Sequence, residues 1–294
     1  MLLLIFSAAI WGFAFLFQKT AMRHVGPIQF VTARSLVATL ALLPLALHEM
    51  RGHGGSWASV LRVAVPAGVA FYIAAVLQQV GLVTATVTNT GFLTALYVVI
   101  TPFIAWALLG RRPVVVVWAS VIMSFVGTWL LGGGTLAALS VGDRLVAASA
   151  FFWALHVVLV GRAAPVGRPI AFTTLQFFVV GLIGAVTTPF VEPVSFAKLG
   201  DAWIEIAFVG ILSSALTFTL FSIAVRHTGP SEATIIVSME TLFAAFGAWL
   251  FLGEGLSVLG WAGAGLILTA ALLVQLAPAR RADGDEATRP SAGG

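Results

Sequence analysis

The residues able to do chemistry in this chain are few, and they sit inside long apolar stretches, where polarity is costly. Glu240 is the one carboxylate well inside such a stretch, and Tyr97 precedes it by 143 positions. A carboxylate there can bind an ammonium group or carry a proton, or it can cap or pair structurally. His156 can carry a proton or serve as a satisfied packing ring. The stretch 88–109 sets Thr90, Thr94, Tyr97 and Thr101 at spacings of four, three and four, which predicts one polar helical face. Ser213, Ser214 and Thr217 make a second stripe, and Thr234, Ser238 and Thr241 a third. Tyr72 stands one heptad before Gln79, Trp153 adjoins His156 on one face, and Ser7, Trp11 and Gln18 share the first stretch.

The chain's two tyrosines, Tyr72 and Tyr97, fall near the centres of their stretches rather than at the interfacial belt usual for membrane tyrosines. A central hydroxyl needs a partner, and a wet cavity supplies one. Candidate binding residues are therefore Trp11, Tyr72, Gln79, Thr94, Tyr97, Trp153, His156, Ser214, Thr217 and Glu240. Their chemistry is noncovalent: aromatic walls stack on a side chain and attract an ammonium group, while hydroxyl, imidazole and carboxylate groups hydrogen-bond. The competing reading of each Ser and Thr is a bond to its own helix backbone or glue between helices. For the tryptophans it is packing.

Catalytic and cofactor chemistry finds little support. Lys19-Thr20 resembles the end of a phosphate loop, but Phe13 and Gln18 stand where its glycines belong. His48-Glu49 lacks the following His of a zinc-protease helix, because position 52 is Gly. His24, His48, His53 and His227 lie near different stretch ends, and the chain has no cysteine, so no metal cluster, cofactor or nucleophile–base pair is expected.

The elements that must position these residues follow from composition. The chain is 60% hydrophobic and 9% charged, against roughly 25% charged in soluble domains. A membrane-crossing helix takes about 20 apolar residues. Ten such segments are predicted, at 2–21, 28–48, 60–83, 88–109, 114–131, 143–162, 170–190, 203–225, 232–252 and 256–277. Turn residues separate them, among them Gly26-Pro27, Gly132-Gly133-Gly134 and Gly229-Pro230, while the boundary near 84–87 is short and uncharged. The first segment is not expected to be a signal peptide, since it lacks a positive start and runs into further spans. A polar tail at 278–294 is expected to be disordered. The net charge of +4 is scattered over short loops rather than massed on one face, which disfavours nucleic acid as a partner.

The chain also repeats itself. Phe103 to Arg112 matches Phe246 to Gly255 at an offset of 143, with Trp106 on Trp249, Gly110 on Gly253 and Arg111 on Glu254. Trp118 falls on Trp261 and Arg62 on Glu205 at that offset, while Trp11 falls on Trp153 and Phe30 on Phe172 at 142. Two five-span units are expected, at 1–131 and 142–277. Five is odd, so the second must enter the membrane from the opposite face. With both termini inside, the ten inside cations are Arg51, Arg62, Arg111, Arg112, Arg162, Arg168, Arg226, Arg280, Arg281 and Arg289. Lys19, Arg23, Arg144 and Lys198 fall outside. This bias predicts cytoplasmic termini, and the charge reversals between copies agree. Inverted repeats mark alternating-access transporters.

The order of several short motifs resembles the drug/metabolite transporter superfamily, of the type built from two EamA repeats. They are Trp11-Gly12, Pro27-Ile-Gln-Phe30-Val-Thr-Ala33-Arg34 through Leu42-Leu43-Pro44, Pro102, and Leu252-Gly253-Glu254 through Gly263-Ala-Gly-Leu-Ile267. Arg111 departs from the pattern, since the first repeat often carries the Glu seen at Glu254. Within the superfamily the chain most resembles the YddG-type amino-acid exporters. That resemblance implies export of neutral, often aromatic, amino acids through a cavity between spans 1, 3, 4, 6, 8 and 9.

The expectation is thus an all-α, ten-span, inverted-repeat transporter of a bacterial inner membrane, whose partners are a small-molecule substrate and the lipid bilayer. Exporters of other metabolites or drugs, a membrane-embedded lipid-acting enzyme, and a receptor-like subunit are the alternatives. Arg34 is expected to pair structurally or snorkel. Small residues at Ser120, Ser124, Gly127 and Thr128, and at Gly260, Ala264 and Gly265, permit close helix contacts within one chain or across a homodimer.

Overall fold

The structure is a computed structural model describing residues 1–52, 56–110, 113–131, 140–253 and 257–276. Arg111, Arg112, Gly132 to Gly134, Glu254, Gly255, His53 and the tail 278–294 lie outside the described residues. Every regular element among the described residues is helical. The first half holds α1 (Leu2–Ala21), α2 (Pro27–Gly52), α3 (Trp57–Leu82), α4 (Val87–Thr94), α5 (Tyr97–Leu109) and α6 (Val115–Leu131). The second holds α7 (Val141–Ala163), α8 (Pro169–Val191), the short α9 (Phe196–Asp201) and α10 (Trp203–Ala207), a π-helical run (Phe208–Leu216), α11 (Thr217–Thr228), α12 (Pro230–Val237), α13 (Glu240–Leu252) and α14 (Val258–Leu276).

Among the described residues, eight helical units are long and apolar enough to cross a membrane; α4 with α5 makes one, α10 through α11 another, and α12 with α13 a third. The expected fifth and tenth spans are shorter apolar helices, Val115–Leu130 and Val258–Val274. At 1.5 Å per residue these are about 25 Å long, just under the roughly 30 Å hydrocarbon core. Many large apolar side chains are exposed around the bundle, among them Leu40, Val115, Val186, Phe190, Phe251 and Trp261. A surface of that extent and polarity suits lipid rather than water.

The helices pack mainly between halves: α2 against α8, α6 against α14, α3 against α7, and α1 against α13. Close approach explains the small residues. A Cβ on Gly127 of α6 would stand 2.7 Å from the Gly263 carbonyl of α14, so at least this small residue serves contact within one chain. Gly265, by contrast, has open space beside it.

The ends of α2 and α8 are fastened reciprocally. Near the end of α2, the Glu49 carboxylate accepts from the Ile170 N–H at 3.3 Å and the Ala171 N–H at 2.7 Å, at the start of α8. Just past the end of α8, the Glu192 carboxylate accepts from the Gln29 N–H, and also from that of Ile28, at the start of α2. Glu49 and Glu192 are 143 positions apart. Each answers the unsatisfied N–H groups and positive dipole end of the partner helix. Burial holds the Glu192 carboxyl above its ordinary range, against the pull of these two donors. Gly26 makes room for it, since a Cβ there would meet Glu192 Oε2.

Lys19 ties α1 to the turn between α3 and α4, its Nζ donating to the carbonyls of Leu82 (2.8 Å), Val83 (3.1 Å) and Ala85 (2.9 Å). The uncharged boundary near 84–87 is real: Thr86 caps α4 by accepting from the Asn89 N–H at 3.0 Å.

Candidate functional site

Two long helices are interrupted at the same place in each half. Ala95-Leu96 separates α4 from α5, and Ser238-Met239 separates α12 from α13; all four segment boundaries match at an offset of 143. Neither interruption contains Gly or Pro. Each is a tightened turn. Val98 and Val99 donate to Ala95 and Leu96 at 3.0 and 3.1 Å, and their equivalents Thr241 and Leu242 donate to Ser238 and Met239 at 3.1 and 3.0 Å, all three residues back rather than four. The first residues after the breaks are Tyr97 and Glu240. Downstream, Gly110 and Gly253 end α5 and α13 in the left-handed conformation, each with φ of 69°.

Between these breaks lies a cavity with about 600 Å³ of atom-free space, its open mouth included. Six of the expected residues line it: Trp11, Thr94, Tyr97, Trp153, His156 and Glu240. The Tyr97 hydroxyl donates to the Glu240 carboxylate, while Glu240 Oε1 has no partner. A close helix crossing brings Trp11 to the same point. A Cβ on Gly12 would stand 2.5 Å from the Glu240 carbonyl and 2.5 Å from Phe243 Cβ, so only Gly lets α1 lie against the start of α13.

Trp11 is held by its indole. Its Nε1–H donates to the Ser213 carbonyl at 2.9 Å, and its ring lies 4.6 Å from Phe218. Ser213 belongs to the π-helical run, whose widened turn redirects backbone carbonyls. Trp153 faces Phe71 edge-on at 4.9 Å, and its buried Nε1 has no partner. His156 pairs through Nε2 with Gln176 Oε1 at 2.9 Å. With Nε2 as donor, the buried Nδ1 is an acceptor, and it too lacks a partner.

The other four expected residues are not in the wall. Tyr72 turns toward α8, where its hydroxyl pairs with Thr187. Gln79 Nε2 donates to the Gln18 carbonyl at 3.1 Å and fastens α3 to α1. Ser214 is fully buried without a partner, and the Thr217 hydroxyl bonds the Ser213 carbonyl one turn back. The wall also includes Ser213, from the second polar stripe, and residues that spacing did not nominate, among them Gln78, Phe218 and Arg34. Gln78 is the neighbour of Gln79 and donates to Thr94 Oγ1 at 2.8 Å. Arg34 departs most from expectation. It neither snorkels nor forms an ion pair through its Nε and Nη2: it is 3% exposed, both nitrogens are unpartnered, and its guanidinium carbon stands 5.7 Å from the Phe71 ring centre.

Among the described residues no cluster of His, Asp or Glu is arranged to hold a metal. The assembled chemistry is recognition: a buried guanidinium and a buried carboxyl group, aromatic faces and a few hydrogen-bonding groups around one space.

Comparison with known proteins supplies a family. Residues 1–133 and 140–276 each match the EamA-like transporter family. A protein named as an uncharacterized transporter from Archaeoglobus fulgidus is 27% identical over 281 residues, covering 92% of this chain and 83% of that relative. The uncharacterized transporter YwfM of Bacillus subtilis is 23% identical, covering 95% of each chain. The uncharacterized inner membrane transporter YicL of Salmonella typhimurium is 29% identical over 62% of each chain. A crystal structure shares the fold with a TM-score of 0.75 at 17% identity, over 93% of this chain and 95% of that one.

Proposed function

Since the chain belongs to the EamA-like transporter family, we propose that it is an alternating-access carrier exporting small metabolites, foremost neutral and aromatic amino acids. The observation that carries this reading is the cavity between two matched helix breaks, with Tyr97 and Glu240 meeting across it. Discontinuous helices of paired repeats, with half-helix ends at the binding site, are how secondary transporters hold a solute near the membrane midplane. Aromatic walls at Trp11, Trp153 and Phe218 offer an apolar side chain a place to stack. Thr94, Tyr97, His156 and Glu240 supply hydrogen bonds and charge.

In this account ten helices cross the membrane as two oppositely oriented units of five, with cytoplasmic termini in a bacterial inner membrane. The charge bias and the matched offsets support that topology. The clasped α2–α8 pair is the stable seam, and the interrupted helices α4–α5 and α12–α13 are the parts that move. Pro102, inside α5, further weakens that helix's ladder.

The test is counterflow in proteoliposomes without an imposed gradient, using labelled phenylalanine, tryptophan, threonine and methionine. Saturable exchange competed by other neutral amino acids is the expected result. Vesicles that contain inserted, folded protein yet exchange none of the four would overturn the amino-acid assignment and turn the search to other metabolites or drugs.

A further inference from the structure

Arg34 and Glu240 line one cavity, a guanidinium and a carboxyl group each with unfinished hydrogen bonding. Arg34 is 3% exposed and Glu240 is 5% exposed. The unpartnered atoms of Arg34 are Nε and Nη2. These two form the side edge of the guanidinium, whose parallel N–H groups match the two oxygens of a carboxylate. On Glu240 one oxygen accepts from Tyr97 while Oε1 has no partner. A buried charge without a counterpart is costly, and a guanidinium cannot relieve the cost by losing its proton. Both deficits are met at once by an occupant carrying one carboxylate and one ammonium group.

We propose that Arg34 and Glu240 form a zwitterion clamp: Arg34 Nε–H and Nη2–H donate to the substrate α-carboxylate, and Glu240 Oε1 accepts from its α-ammonium. This rests on the amino-acid reading above and makes it specific. The clamp requires both charged groups of the amino acid. The side chain is left to the aromatic wall of Trp11, Trp153 and Phe218, which sets no strict shape. Tyr97 is a positioning residue, since its hydroxyl occupies one lone pair of the carboxylate and leaves Oε1 to the ligand. The site therefore discriminates by charge pattern first and by side chain second. A site built to pair a group rejects the analogue that lacks it, because its own buried group is left unpaired.

The experiment is inhibition of labelled L-phenylalanine exchange by the full chain in proteoliposomes, with phenethylamine (no carboxylate), 3-phenylpropionate (no ammonium) and unlabelled L-phenylalanine as competitors. In the wild type both analogues should compete at least tenfold more weakly than L-phenylalanine. Arg34→Gln should close the gap for phenethylamine alone, and Glu240→Gln should close it for 3-phenylpropionate alone. Equal competition by all three compounds in the wild type would overturn the clamp while leaving amino-acid transport standing. So would variants that shift both gaps alike. Failure of the wild type to exchange phenylalanine or any other neutral amino acid would overturn the amino-acid reading and the clamp together. The wild-type series decides the matter even where a variant fails to fold.

Discussion

Tyr97 and Glu240 occupy the same position in the two halves, each the first residue after a break in its helix, and their side chains are hydrogen-bonded to each other. Repeat symmetry thus brings equivalent positions together at the cavity, and divergence has made one a donor and the other an acceptor. A hydrogen bond to a charged group contributes about 1.5–3 kcal/mol. Tyr97→Phe should therefore lower the exchange kcat/KM by about tenfold or more. Glu240→Gln should lower it similarly, and the double variant should lose no more than the worse single one. Additive losses in this double-mutant cycle would show that the two side chains act independently.

Gly12 sets the distance between α1 and the break before α13. Gly12→Ala places a methyl group where backbone and Phe243 already stand, and such overpacking costs about 1–3 kcal/mol. The expected outcome is a lowered thermal midpoint in detergent together with weaker transport. Gly265→Ala, which meets open space inside α14, should not lower the midpoint.

The reciprocal clasp between α2 and α8 gives a pH dependence with a definite sign. Glu192 holds its proton more tightly in the folded chain than in the unfolded one, because burial opposes its charge. The folded state then binds more protons in the window just above the ordinary carboxylate range. Stability from this group is present below that window and declines as pH rises through it. Glu192→Gln should remove that part of the slope, as read by thermal melting across mildly acidic pH.

Removing the other half of the clasp strands two N–H groups. Glu49→Ala leaves the start of α8 without its acceptor, a cap loss of about 1 kcal/mol. A lower melting midpoint with little change in the KM of exchange is expected, since Glu49 is not in the cavity wall.

Much of this arrangement is visible in the sequence because duplication writes it twice. The offset of 143 aligns Tyr97 with Glu240, Gly110 with Gly253 and Glu49 with Glu192, and the first two pairs mark the start and end of matched half-helices. The breaks themselves are not visible. Ala95-Leu96 and Ser238-Met239 are ordinary helix formers, and their tightened turns come from tertiary packing, with Ser124 of α6 donating to Ser238 Oγ at 2.9 Å. The continuous apolar patterns at 88–109 and 232–252 therefore read as single helices.

Side-chain direction is less legible in the sequence. Heptad spacing from Tyr72 selects Gln79, yet that residue faces α1 while Gln78, a rotation of about 100° away, faces the cavity. The partner of Tyr72 is Thr187, 115 positions distant and on another helix, which no local pattern reveals. Arg34 lies close enough to the start of α2 for snorkelling to be the economical expectation. Only the packing of α2 against α8 and the π-helical run turns it inward; a Cβ on Gly210 of that run would stand 3.0 Å from the Arg34 carbonyl.

The central claim is that one cavity opens in turn to each side of the membrane. The chain contains no cysteine, so Val237→Cys, in the cavity wall beside the second break, would carry the only thiol. The decisive measurement is labelling of this variant in oriented membrane vesicles by a membrane-impermeant thiol reagent, applied to one face or the other, with and without a transported amino acid. The account predicts labelling from either face, with protection by the amino acid. A thiol that reacts from one face only while the variant still exchanges substrate would contradict alternating access through this cavity.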